Sequence, residues 1–128
     1  MNTLENEYLR ISASADGAEL TAIYDKVNGL ERLWCADPAV WDRHAPILFP
    51  VVGRLLDNAY TYQGTTYSLP QHGFARDFIF GVKRASKTTI SYELTDSEGT
   101  RGLYPFAFSL QIDYTLLENQ VRVAYTVS

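Results

Sequence analysis

The stretch Phe106-Ala107-Phe108-Ser109-Leu110-Gln111-Ile112-Asp113-Tyr114-Thr115-Leu116, followed after Leu117-Glu118-Asn119 by Gln120-Val121-Arg122-Val123-Ala124-Tyr125-Thr126-Val127, decides the fold. Apolar and polar residues alternate in both halves, the period of a strand with one buried face. A three-residue break between two such runs reads as a hairpin. Working back toward the amino terminus, Thr88–Leu94 and Phe78–Lys83 have the same character, and Tyr60–Leu69 reads as a small surface hairpin around Gln63-Gly64. At the start, Tyr8–Ala13 alternates, turns at Asp16-Gly17 into Ala18–Tyr24, and turns again at Val27-Asn28-Gly29 into Leu30–Trp34, a three-strand meander. Many short strands and no long helical period give an all-β protein, an antiparallel β-sandwich.

One segment breaks the pattern. Asp37-Pro38-Ala39-Val40-Trp41 suits a single helical turn capped by Asp37, and Ala45-Pro46-Ile47-Leu48-Phe49-Pro50-Val51-Val52-Gly53 is apolar but carries two prolines, which exclude a central strand. Such a segment either crosses the core or walls a pocket.

The composition bounds the rest. The chain has 128 residues, 46% hydrophobic and 20% charged, which is the make-up of a folded globular unit rather than a disordered or membrane-embedded one. Residues 1–128 therefore read as a single β-sandwich unit. A net charge of -4 lacks the basic footprint of a nucleic-acid binder, and no apolar run is long enough to cross a bilayer, so neither partner is expected. The acidic beginning, Met1 to Glu7, is unlike a secretory leader. The single cysteine, Cys35, has no partner for a disulfide or a zinc cage, which points to a reducing compartment, the cytoplasm. The run Gln120–Val127 still alternates where the sequence stops, so we expect an amino-terminal part of a larger domain, with self-association through that strand.

Catalytic signatures for nucleotide hydrolysis, serine hydrolysis and zinc chemistry are absent. His72 lies with Gln71, Gly73 and Arg76 in a loop between strands, where sandwiches carry binding groups. Its imidazole exchanges hydrogen bonds with sugar oxygens and moves a proton near neutrality, against the plain alternative of a surface loop histidine. His44 reads as a hydrogen-bonded loop histidine. Arg54 ends the apolar run, where its fork suits a diol, carboxylate or phosphate, the alternative being an ion pair with Asp57. Trp41, Phe49, Phe74 and Phe80 are candidates for stacking on a sugar face or for the core.

Taken together, Ala45–Arg54, the Tyr-rich hairpin, Gln71-His72-Gly73-Phe74-Ala75-Arg76-Asp77 and Tyr104-Pro105-Phe106 resemble, in order and spacing, the amino-terminal part of the aldose 1-epimerase (galactose mutarotase-like) family, most closely its LacX-like branch. The resemblance implies a large antiparallel sandwich with an open cleft that interconverts the α and β anomers of a hexose or hexose phosphate without a cofactor, and two histidines with no nearby paired carboxylates give no reason to expect a metal. In that family a glutamate takes the proton from the anomeric hydroxyl while a histidine protonates the ring oxygen. Arg54 and His72 match the family's sugar-binding Arg and His, His72 near the ring oxygen as the catalytic residue in this chain. Arg76, with Gln71 beside it, completes the substrate-binding set, and in related hexose-phosphate epimerases basic residues of this region contact phosphate. The family's second histidine, its likelier proton donor, and its glutamate base come from beyond residue 128, so these 128 residues alone are expected to be inactive. The alternative is a non-catalytic carbohydrate-binding β-sandwich module.

Overall fold

A computed structural model describes residues 1–128. The chain runs through β1 (Asn2–Glu5), β2 (Leu9–Ala13), β3 (Leu20–Asp25), β4 (Leu30–Glu31), β5 (Ala59–Tyr62), β6 (Thr65–Ser68), β7 (Gly81–Ala85), β8 (Thr89–Thr95), a one-turn helix α1 (Glu98–Arg101), β9 (Ser109–Leu117) and β10 (Gln120–Val127). All strand pairs are antiparallel. They form one sheet in the order β1-β2-β3-β4, a second in the order β10-β9-β8-β7, and the separate hairpin β5-β6.

The two four-stranded sheets make the sandwich. Ile11 and Ala13 of β2 face Ile90, Tyr92 and Leu94 of β8 and Leu110, Ile112, Tyr114 and Leu116 of β9 across one buried core. Full burial of an aliphatic side chain of this size contributes roughly 1.5–3 kcal/mol, which makes this layer the main source of stability. Two tyrosines bring polar ends into the core and find partners there. The Tyr92 hydroxyl donates to the Ala13 carbonyl at 3.0 Å and accepts from Asn2 Nδ2 at 2.9 Å, and the Tyr114 hydroxyl donates to the Ala18 carbonyl at 2.7 Å. Burial pushes both phenols above their usual range, so each stays a neutral donor, Tyr92 tying its sheet to β2 and Tyr114 tying its sheet to the loop between β2 and β3.

Several local readings are corrected. The opening sheet has four strands, not three: Asn2–Glu5 pairs with β2, although only Leu4 of it is apolar and buried. The strand read over Leu30–Trp34 shrinks to Leu30–Glu31 because Glu31 Oε1 accepts from the Leu33 and Ile23 amides and bends the chain away. The run from Phe78 does not pair as a strand until Gly81; before that, Phe80 N–H donates to Ala15 and Gly17 N–H to Phe78, joining this segment to the β2–β3 loop. Phe106–Phe108 likewise precede β9 and fill an aromatic cluster with Phe49, Phe74 and Tyr104. Asp37–Trp41 forms its capped turn, with Asp37 Oδ1 accepting from the Ala39 amide and its carbonyl from Trp41 at 2.8 Å, but no helix grows from it.

The apolar segment 45–53 does both things open to it. Ile47 is buried in the core, while its neighbours Pro46 and Leu48 line a surface cleft.

Candidate functional site

That cleft, about 650 Å³, is lined by Trp41, Arg43, Pro46, Leu48, Gln71, His72 and Arg76. One wall is the 41–48 segment and the other is the 71–77 turn. Their junction is set by backbone. The Phe49 carbonyl accepts from the Phe74 amide at 3.0 Å and the Ala75 amide at 3.3 Å, pressing the two segments into contact at Gly73. A Cβ on Gly73 would lie 2.1 Å from the Phe49 carbonyl oxygen, so no other residue fits there. Gly73 also has φ +73°, and His72 before it φ +65°, two successive left-handed residues that swing the imidazole to the cleft.

The His72 ring is anchored through Gly53. Gly53 N–H donates to His72 Nδ1 at 2.8 Å, and His72 N–H donates back to the Gly53 carbonyl at 2.8 Å. Because Nδ1 is the acceptor, the proton of the neutral imidazole resides on Nε2. His72 thus presents a donor from a fixed ring position, with the Gln71 side-chain amide 3.5 Å from Nε2.

Arg76 Nη2 donates to the Gln71 carbonyl at 3.0 Å, tightening the turn on itself, and its Nε is buried without a partner. Arg43 crosses from the opposite wall: Nη2 pairs with Asp77 Oδ1 at 2.7 Å, and Nη1 lies 3.5 Å from the Arg76 carbonyl. The cleft lining therefore holds two guanidiniums, an imidazole and an indole, and no carboxylate. Such a lining donates hydrogen bonds to oxygen-rich ligands and favours negative charge.

The structure brings Gln71, His72 and Arg76 together on the cleft. Arg54 sits one residue beyond the glycine bonded to His72, but its side chain is exposed, makes no hydrogen bond or ion pair, and does not line the cleft; the pairing with Asp57 does not form. His44 is held beside Glu19, whose carboxylate accepts from the His44 and Ala45 amides, a loop role. Of the four aromatics, Phe74 and Phe80 are core and Phe49 packs on it, so Trp41 alone faces the cleft. Arg43 escaped the reading of the sequence, since nothing local marks a residue whose partner, Asp77, lies 34 positions away. A second groove, about 460 Å³ along β7 and β8, has its charged pair Lys83 and Glu93 already joined at 2.8 Å.

Comparison with known proteins identifies the family and the fold. The family model described as aldose 1-epimerase matches residues 1–128. The plasmid-encoded protein LacX of Lactococcus lactis subsp. lactis is 33% identical over 98% of the chain and 43% of its own length. A galactose mutarotase related enzyme from Lactobacillus acidophilus superposes with a TM-score of 0.97 at 42% identity, over 98% of this chain and 42% of that one. A galactose mutarotase-like protein from Lactobacillus casei gives 0.95 at 35%, over 99% and 43%. The chain thus spans less than half the length of these relatives. By sequence and by fold, the chain belongs to the aldose 1-epimerase family, in its LacX-like branch.

Proposed function

We propose that the cleft between the 41–48 and 71–77 segments binds a hexose or hexose phosphate, and that His72 donates a hydrogen bond near the ring oxygen during anomer interconversion. The observation that carries this reading is the His72 imidazole held by Gly53 with Nε2 toward the cleft. In ring opening, a donor at the ring oxygen compensates the charge that develops as the C1–O5 bond breaks, while a base removes the proton of the anomeric hydroxyl. The carbonyl and the hydroxyl so formed close again on either face of C1. His72 Nε2–H offers that oxygen a hydrogen bond, while the proton that makes it a hydroxyl is expected from the family's second histidine; Trp41 offers a platform for the apolar face of the sugar, and Arg76 with Arg43 holds oxygens or a phosphate at the other end. Arg54 joins when a ligand orders its side chain.

The base is a glutamate in the family, and no carboxylate lines this cleft. The 128 residues by themselves are therefore expected to bind sugar without accelerating its mutarotation. Polarimetry on freshly dissolved α-galactose or α-glucose tests this together with calorimetric titration. Binding with a spontaneous rate of rotation change supports the reading, and rapid mutarotation by the chain alone contradicts it.

A further inference from the structure

Between Asp42 and Leu48 the main chain of the cleft wall makes only two hydrogen bonds, and both go to one side chain. Glu19 Oε1 accepts from the His44 amide and, at 2.9 Å, from the Ala45 amide. These amides stand at the middle of the wall, with Trp41 and Arg43 before them on the cleft and Pro46 and Leu48 after them. The remaining ties of the wall lie at its ends or across the cleft. The Trp41 amide donates to the Asp37 carbonyl and the Trp34 indole to the Trp41 carbonyl, Ile47 is fixed by burial, and Arg43 reaches over to Asp77.

Glu19 is itself rigidly mounted. It directly precedes β3, and its carbonyl accepts from the Ser14 amide at 2.8 Å. Its neighbour Ala18 is fully buried and accepts at 2.7 Å from the hydroxyl of Tyr114, a core residue of β9. The Glu19 side chain is 14% exposed and pairs with no lysine or arginine; the one titratable group beside it is His44, with Nδ1 at 3.9 Å. A shielded carboxylate binds backbone donors through charge-assisted bonds, roughly twice as strong as neutral ones. Rigid sandwich, carboxylate and mid-wall amides thus form one continuous chain of contacts.

We propose that Glu19 is a positioning residue of the cleft: it carries the frame of the sandwich to the middle of the 41–48 wall and so sets where Trp41 and Arg43 stand opposite His72 and Arg76. Glu19 does not line the cleft and touches no ligand there. Its effect on affinity rests on the reading of the cleft as a sugar site; its effect on the wall does not. Without the carboxylate, the His44 and Ala45 amides lose their only acceptor and turn toward water, because a half-buried N–H left unpaired is costly. Arg43 and Pro46, one residue to either side, move with them.

The test compares Glu19→Ala, Glu19→Asp and Glu19→Gln with Ile90→Val, a core change far along the chain from the wall, by 1H–15N NMR without ligand, galactose titration and thermal unfolding. In Glu19→Ala the His44 and Ala45 amides, the Trp41 indole and the Arg43 side chain should all shift before any sugar is added, and galactose affinity should fall by about fivefold or more. Glu19→Asp, one methylene short of the amides, should shift the same signals in a chain that still folds. Glu19→Gln keeps an acceptor at Oε1 and should restore the signals and most of the affinity. Ile90→Val empties core volume and should lower the thermal midpoint while leaving affinity at the parent value. The proposal is overturned if the Glu19→Ala and Glu19→Asp chains keep the parent Trp41 and Arg43 signals, or if affinity merely follows the thermal midpoint in all four variants. A parent chain that ignores galactose would sink the sugar reading alone, and the ligand-free signals would then decide for or against Glu19.

Discussion

The two segments that meet at Gly53 and His72 are held in opposite ways. From Gln71 to Asp77 the chain is tied at nearly every residue: His72 to Gly53 twice, Phe74 and Ala75 to Phe49, Arg76 to Gln71, and Asp77 to Arg43. From Val52 to Asn58 the chain is held to the rest of the molecule only at Gly53, Leu55 and Asn58, with Val52 77% and Leu56 88% exposed and Arg54 without a partner. The first segment delivers preformed groups, so binding there orders little. The second delivers a long side chain whose immobilisation costs about 2 kcal/mol of rotamer freedom before any contact is gained. On the proposed reading, specificity for orientation would reside in the 71–77 turn, and Arg54 would serve as an adjustable clasp.

Substitutions can break this contrast, and the largest effect is expected at Gly73. Gly73→Ala puts a methyl against the Phe49 carbonyl at a positive φ and should lower stability by about 4 kcal/mol or prevent folding, read by urea unfolding. Next is the histidine, where two replacements separate anchoring from chemistry. His72→Ala leaves the Gly53 N–H without its acceptor and should cost about 1–2 kcal/mol. His72→Asn keeps an acceptor near Nδ1 and tolerates the left-handed backbone, so it should unfold within about 1 kcal/mol of the parent yet lose sugar affinity because Nε2 is gone. Equal loss of affinity and stability in both variants would mean that the imidazole only props the loop.

Arg43→Ala removes a partly exposed ion pair and should cost about 0.2–1 kcal/mol, while weakening a phosphorylated sugar more than a neutral one in calorimetric titration. The smallest stability effect belongs to Arg54→Ala, within about 0.5 kcal/mol, with a measurable fall in sugar affinity. A substantial loss of stability there would show that the 52–58 segment is not the loose partner described.

Much of this was legible in the sequence, for physical reasons that vary by region. Alternation exposed β8 and β9 because each buries one face, and β10 because its apolar residues share that face although none of them is buried, and Gln71, His72 and Arg76 share the cleft because a compact turn carries all three. β1 was invisible since a strand of four residues with one apolar side chain has no period to read. α1 spans one turn, held by the Ser97–Thr100 capping box rather than by an apolar stripe. Arg43 and the contact between Gly73 and Phe49 are long-range facts: they depend on how two loops cross, which no local pattern encodes. The same holds for Arg54, whose place after Gly53 was readable but whose side-chain direction was not.

The most direct measurement is a 1H–15N NMR titration of the chain with galactose, followed by glucose 6-phosphate. If the 41–48 and 71–77 walls form the sugar site, shifts should concentrate on the Trp41 indole, Arg43, His72, Gly73 and Arg76, with Arg54 shifting as it orders. Shifts centred on the β7–β8 groove, or none anywhere as both ligands approach saturating concentration, would contradict it.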